Sequence, residues 1–296
     1  MRTGIYIALL IFTMLSATQA QKPLTITDDS FKFGNTLCPG IWIDIPETKL
    51  ETVRGNWIKY IEKGTKSNAL VTGNEITLFG ALLKDISEAP VNIFSAVEGK
   101  DSLVRLFVSL ELKRDEFTKI NSKEHEQLKK AVKQFAKDQY VKVAEEQLSA
   151  QESKLKDLEK ELSSMRKEKE KLEKEIQSAN TSISEEKYKI ETFQKEMKVT
   201  ESALDAKSTE LSTMADGDAK KAVQSEVKDL QKKKKENMKD IGSSENKISK
   251  AETLIRDNKS AIETNLKQQD ELGDKISNQN LEVKKFSDKL KTIESF

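Results

Sequence analysis

The sequence predicts an α+β protein: a small N-terminal two-layer α+β domain followed by a long antiparallel coiled-coil helical hairpin. Three observations carry this prediction. All four prolines and both tryptophans lie between Pro23 and Leu112, a heptad repeat runs from Leu148 to Ile293, and the phase of that repeat breaks around Asp216-Gly217. The composition agrees, with 34% charged residues and 6% aromatics in 296 residues. Such a balance belongs to long helices once periodicity separates it from disorder.

Residues 1–20 hold Arg2, an uncharged run from Ile5 to Leu15, and then Ser16-Ala17-Thr18-Gln19-Ala20. A basic start, a short apolar stretch and small residues at a cleavage site read as a signal peptide. The run is about half of the ~20 apolar residues that span a bilayer, so cleavage is expected over anchoring, with no stable membrane insertion afterwards. The mature chain is therefore expected outside the cytoplasm, periplasmic or secreted. Without Arg2 the chain balances 50 basic against 50 acidic side chains. A nucleic-acid partner would need a basic footprint that this balance lacks. The single Cys38 can close no disulfide within the chain, so packing must supply the stability. It reads as a buried small hydrophobe, with an exposed thiol or an interchain disulfide as the alternatives.

The globular domain is expected over 21–118. Ile41-Trp42-Ile43-Asp44-Ile45 alternates with period two, as a half-buried strand does, and Pro46 ends it. Leu50, Val53, Trp57 and Ile61 then share one helix face, and Gly64 stands where a left-handed cap closes a helix. Ala69–Val71 and Ile76–Ile86 read as strands around Thr72-Gly73-Asn74, with Gly80 as a bulge. Val91–Val97 and Leu103–Leu112 read as a hairpin across Glu98-Gly99-Lys100-Asp101-Ser102. The order strand, helix, strand, strand, strand, with a helix beginning near Ser122 laid on the sheet, suggests a ferredoxin-like split arrangement.

The hairpin is expected over 119–296, with arms of about 122–214 and 219–295 and a turn at 215–218. In the first arm one core position holds Leu148, Leu155, Leu162, Lys169, Ile176, Ile183, Ile190, Met197, Leu204 and Leu211. The other holds Gln151, Leu158, Met165, Leu172, Ala179, Glu186, Phe193, Thr200, Lys207 and Met214. In the second arm the first series is Ile241, Ile248, Ile255, Ile262, Gln269, Ile276, Val283 and Leu290, and its complement includes Asn237, Ser244, Asn258, Asn265, Leu272, Phe286 and Ile293. A sustained period of 3.5 makes a left-handed supercoil. Because the two registers do not join, the chain is expected to reverse at Asp216-Gly217, a strong turn dipeptide. Reversal there sets Val141 against Ile293, Ala144 against Leu290 and Leu172 against Ile262, and puts Lys169 against Asn265. An uninterrupted helix dimerising in parallel is the competing picture.

Catalytic constellations are missing. His125 is the only histidine and lies in a Lys- and Glu-rich helix, where it is expected to be exposed. One His and one Cys are too few soft ligands for structural zinc or a redox dithiol, and no glycine-rich phosphate loop occurs; no cofactor, metal or catalytic residue is expected. Lys232–Lys235 is a basic run expected to be neutralised by Glu196, Glu201 and Asp205 of the other arm. Asn180-Thr181-Ser182 and Asn258-Lys259-Ser260 fit a glycosylation sequon, but neither is taken as a site. The leading expectation is an exported, non-enzymatic structural or protein-interaction protein that serves a protein partner, with homo-oligomers arising if two hairpins side-pack. The alternative is an envelope chaperone or assembly factor gripping clients with the hairpin, and the third reading is an enzyme in the α+β head.

Overall fold

The computed structural model describes residues 23–296; the expected signal peptide lies outside the described residues. Two compact units divide the chain, residues up to Lys154 with Gln279–Phe296 forming one and Leu155–Asn278 the other.

The first unit holds β1 (Ile26–Phe33), β2 (Thr36–Pro46), α1 (Leu50–Glu62), β3 (Leu70–Thr72), β4 (Glu75–Ala81), β5 (Val91–Lys100), β6 (Leu103–Lys113) and β7 (Glu116–Phe117). The strands make one antiparallel sheet in the order β1-β2-β6-β5-β4-β3, with β7 folded back on β6. This corrects the ferredoxin-like arrangement. Its physical origin is β1, whose Ile26-Thr27-Asp28-Asp29-Ser30 start is too polar to read as a strand. An edge strand can carry such charges, which deter pairing with other chains. β1 pairs with β2 from Ile26 opposite Ile43 to Phe33 opposite Thr36, leaving β2's other edge to β6.

Period two sorts the side chains. Ile41, Ile43 and Ile45 of β2, Ile76 and Leu78 of β4, Ile93 and Val97 of β5 and Leu106 of β6 are all fully buried beneath the helices. From α1, Val53, Trp57 and Ile61 pack down on this face, and Leu128, Val132, Phe135 and Ala136 of the following helix complete the layer. Each such apolar side chain contributes about 1.5–3 kcal/mol on burial. One polar contact is sealed inside: the Trp57 indole donates to Ser95 Oγ (2.9 Å), whose hydroxyl donates to the Ile76 carbonyl (3.1 Å). Gly80 has φ of +73° where the β4–β5 register shifts between Leu78 and Ala81, the expected bulge, in a conformation that favours glycine. The β5–β6 turn is tighter than expected, only Asp101-Ser102 lying between the strands.

Two helices follow, α2 (Lys123–Thr213) and α3 (Asp218–Glu294). Ser122 caps α2, its hydroxyl accepting the His125 backbone N–H at 3.2 Å. The helices separate at 214–217 and pack antiparallel as a hairpin, which disposes of the uninterrupted helix. Among the described residues no helix is long and apolar enough to cross a membrane.

Candidate functional site

In the second unit the predicted core residues Leu155, Leu158, Leu162, Leu172, Ile176, Ile183, Ile190, Leu204, Leu211, Ile241, Ile248, Ile255, Ile262, Leu272 and Ile276 are all half-buried or buried. A two-helix coil shields its seam from one side only, so long apolar side chains stay partly wet. The deeply buried positions are mostly short and polar: Glu186, Thr200, Asn237, Ser244, Asn258 and Asn265. Several reach across the seam. Asn258 donates to Glu175 (2.9 Å) and Asn265 to the Met165 carbonyl (3.1 Å), the latter one turn from the Lys169 expected opposite it. Glu186 takes Lys189 at 2.7 Å and Lys247 of the other arm at 3.2 Å. Lys189 first, with Ser244 and Lys247, holds the Glu186 carboxyl down at about 2 against the opposing effect of burial. Such polar layers cost stability and fix register. Of the basic run, Lys234 meets Glu201 at 2.8 Å as expected, while Lys232 turns to Glu236 on its own helix at 4.0 Å. Of the two sequon asparagines, Asn258 is buried and Asn180 is exposed.

In the first unit the two helix bases meet the sheet domain through a clamp whose apolar part, Val141 and Ala144 with Leu290 and Ile293, the heptad pairing marked and whose charged part it did not. Tyr140, Ala144 and Ile293 are buried together, with Val141, Leu290 and Phe296 packed around them; Leu148 and Phe286 above are half-buried. Beside this plug stands Glu47, between β2 and α1, at φ of +58°. Such a conformation costs a non-glycine residue roughly 1–3 kcal/mol, and the side chain is used: Lys289 donates to it, Gln147 donates at 3.0 Å, and Tyr140 donates at 3.4 Å. Lys289 also donates to Gln147 Oε1 (2.9 Å) and stands 5.9 Å from the centroids of Tyr140 and Phe286. Burial would raise the Glu47 pKa, but Lys289 and Gln147 outweigh it and hold the carboxyl below its usual range. Burial and the Glu47 charge push the Tyr140 phenol up to about 12.

The sheet face opposite the helices carries a second, aromatic cluster. Trp42, Phe33 and Phe107 are buried there with Cys38 and Ala96, and Phe31, Phe94 and Phe117 pack against them. Phe107 contacts Trp42 and Phe31 with centroids 5.2 and 5.5 Å apart, and Arg105 lies 4.5 Å from the Trp42 ring centroid while pairing with Asp44 at 3.1 Å. Gly40 admits this packing, since a Cβ there would lie 2.6 Å from Phe107 Cζ and 2.4 Å from the Val108 carbonyl oxygen. Cys38 is fully buried, and burial with the Glu111 charge raises its thiol to about 11. Toward β3 the cluster opens into a groove of about 220 Å³ lined by Phe33, Leu70, Thr72, Glu75, Thr77, Phe79 and Phe94. There Leu70 is 61% exposed and Phe79 50%. Phe31-x-Phe33, Trp42, Phe94 and Phe107 alternate with the core series, the signal from which this face could have been read.

His125 corrects an expectation. It is not exposed but 2% accessible, because β1, missing from the sequence reading, folds over it. Its Nε2 lies 2.8 Å from Asp28 Oδ1, and Lys129 donates to Asp28 Oδ2 at 2.9 Å. Burial tends to raise the Asp28 carboxyl, yet Lys129 and His125 together hold it below its usual range. No cluster of three or more His, Cys, Asp or Glu suited to a metal occurs among the described residues.

No family model matches the chain, and no curated protein matches it in sequence.

Proposed function

We propose that this is an exported, non-enzymatic structural or protein-interaction protein: the sheet domain attaches to a protein partner, and the coiled coil acts as spacer. The observation that carries this reading is the aromatic face. One side of the sheet is covered by α1 and α2, while the other side ends in a groove with Phe79 and Leu70 half or more exposed. The occupant that suits it is an extended partner segment with an apolar anchor beside β3 and a cation near Glu75, a carboxylate on the groove wall without an ion pair among the described residues. The coiled coil lacks a comparable surface. Its exposed apolar residues, Tyr188, Val199, Met238, Leu254, Leu266 and Leu281, are scattered over several helix faces and make no stripe for gripping clients.

The test is photo-crosslinking in the living host from a benzophenone side chain placed at Phe79 or, separately, at Leu254 of the coiled coil. One discrete adduct from position 79, absent from position 254 and abolished by Leu70→Asp, is expected. A ladder of many adducts from position 254 with none from 79 would replace this reading by the client-holding one.

A further inference from the structure

The outer face of α3 carries a row of lysines. At helical spacing, Lys221, Lys228, Lys232, Lys235 and Lys239 fall on one line, opposite the seam where Val223 and Asn237 are buried. At a rise of about 1.5 Å per residue the row is about 27 Å long. Between its ends the only other residue on the line is Ser225, while Asp229 and Glu236 stand to one side. Lys221 pairs with Asp218 at 3.1 Å and Lys232 reaches Glu236 only at 4.0 Å. Lys228, Lys235 and Lys239 are exposed and make no ion pair among the described residues. The whole chain is nearly neutral, with 51 basic against 50 acidic side chains, and the outer face of α2 in the same unit mixes Glu191 and Asp205 with Lys195 and Lys198. The row is therefore a local excess. Lysines three or four residues apart, as Lys228, Lys232, Lys235 and Lys239 are, repel one another and disfavour the helix. A dense anionic surface relieves that repulsion.

The shape of the row selects among polyanions. A straight rod touches a plane along one line, and here the charges occupy one line. A partner helix would need an apolar seam beside the lysines, but the uncharged flank offers Gln224, Gln231 and a single exposed apolar residue, Met238. Single-stranded nucleic acid is held by stacking on aromatic side chains, and the row has none; the phosphate strands of a duplex wind away from a straight line. Lysine ammonium groups are compact charges that bind phosphate, and clusters of them on a helix are drawn to anionic lipid. We propose that this face of α3 binds the phosphate headgroups of an anionic lipid bilayer, with this stretch of the coiled coil lying along the surface and not inserting. The contact is separate from the aromatic face of the sheet domain and does not depend on it.

The full chain is sedimented with vesicles of equal parts phosphatidylcholine and phosphatidylglycerol and with vesicles of phosphatidylcholine alone; duplex DNA and polyglutamate are titrated separately. The neutral vesicles register any contribution of the apolar run Ile5–Leu15. Saturable binding to the anionic vesicles, weakened by salt, is expected, with weaker binding to the other three. Each lysine near an anionic surface contributes about fivefold in affinity, so the triple variant Lys228→Gln, Lys235→Gln and Lys239→Gln should lose about a hundredfold. A control triple of exposed lysines off the row, Lys156→Gln, Lys167→Gln and Lys174→Gln, changes the net charge equally and should lose less than about tenfold. Circular dichroism checks that both triples keep their helices. Acetylation of surface amines, mapped by mass spectrometry, should find Lys228, Lys235 and Lys239 protected on anionic vesicles and Lys156, Lys167 and Lys174 unprotected. Equal binding to both vesicle types, equal losses in the two triples, or an unprotected row would overturn the proposal. Tighter binding to DNA or polyglutamate than to the anionic vesicles would replace the lipid with a nucleic acid or an acidic protein.

Discussion

Removing the charge of Glu47 tests how the sheet domain holds the helix bases. The side chains of Glu47 and Lys289 are 22% and 17% exposed, between a surface pair, worth about 0.2–1 kcal/mol, and a sealed one, whose rupture costs about 3–5 kcal/mol. Gln147 binds both partners, so each charge keeps a hydrogen bond when the other is removed. A coupling energy of about 1–2 kcal/mol therefore follows for the double-mutant cycle of Glu47→Gln and Lys289→Met. Trp42 and Trp57, the only tryptophans, both lie in the first unit, so urea unfolding followed by fluorescence reads that unit apart from the coiled coil. The pH dependence has a fixed sign. Because the folded Glu47 carboxyl titrates below its ordinary value of 4.5, the stabilisation is fully present above that value and disappears as pH falls through the lower folded one. A coupling below about 0.3 kcal/mol, or one unchanged on acidification through this window, would refute the clamp as an energetic element.

Gly40→Ala should destabilise the sheet domain by at least ~2–3 kcal/mol, because the backbone carbonyl of Val108 cannot yield to a Cβ 2.4 Å away; fluorescence-monitored unfolding measures it. Ser95→Ala strands the buried Trp57 indole N–H and should cost about 1–3 kcal/mol, whereas Trp57→Phe leaves the Ser95 hydroxyl its bond to Ile76. Cys38 should resist thiol reagents in the native protein and react at once in denaturant, since its burial raises its pKa to about 11. In the coiled coil, Asn265→Leu should raise the melting temperature read by circular dichroism while allowing alternative registers, seen as concentration-dependent species in sedimentation.

The coiled coil was legible because heptad repetition is a local signal summed over many turns, and one dipeptide, Asp216-Gly217, breaks it. Most of the sheet was legible for a similar reason: β4, β5 and β6 carry apolar residues at period two. β1 was not, because an edge strand buries little. Its Asp28 faces the helix layer and binds His125 and Lys129, whose positions lie 97 and 101 residues further along the chain. The missed strand then explains the other misreadings: without β1 nothing covers His125, so it reads as a solvated helix residue, and the sheet lacks the edge strand whose pairing with β2 excludes a ferredoxin-like order. Glu47 failed to stand out for the same reason, since its partners Tyr140, Gln147 and Lys289 come from two helices and lie 93, 100 and 242 residues away. What periodicity conveys is which faces are buried. Charges that tie distant elements together carry no period, and in this protein they occupy the clamp at Glu47 and the contact of Asp28 with His125 and Lys129. Where Asp28 interrupts β1 and Glu186 the coiled-coil seam, the interruption marks a long-range partner, Lys129 for the first and Lys247 for the second, whereas Lys169 in the same seam pairs with Glu173 one turn along its own helix.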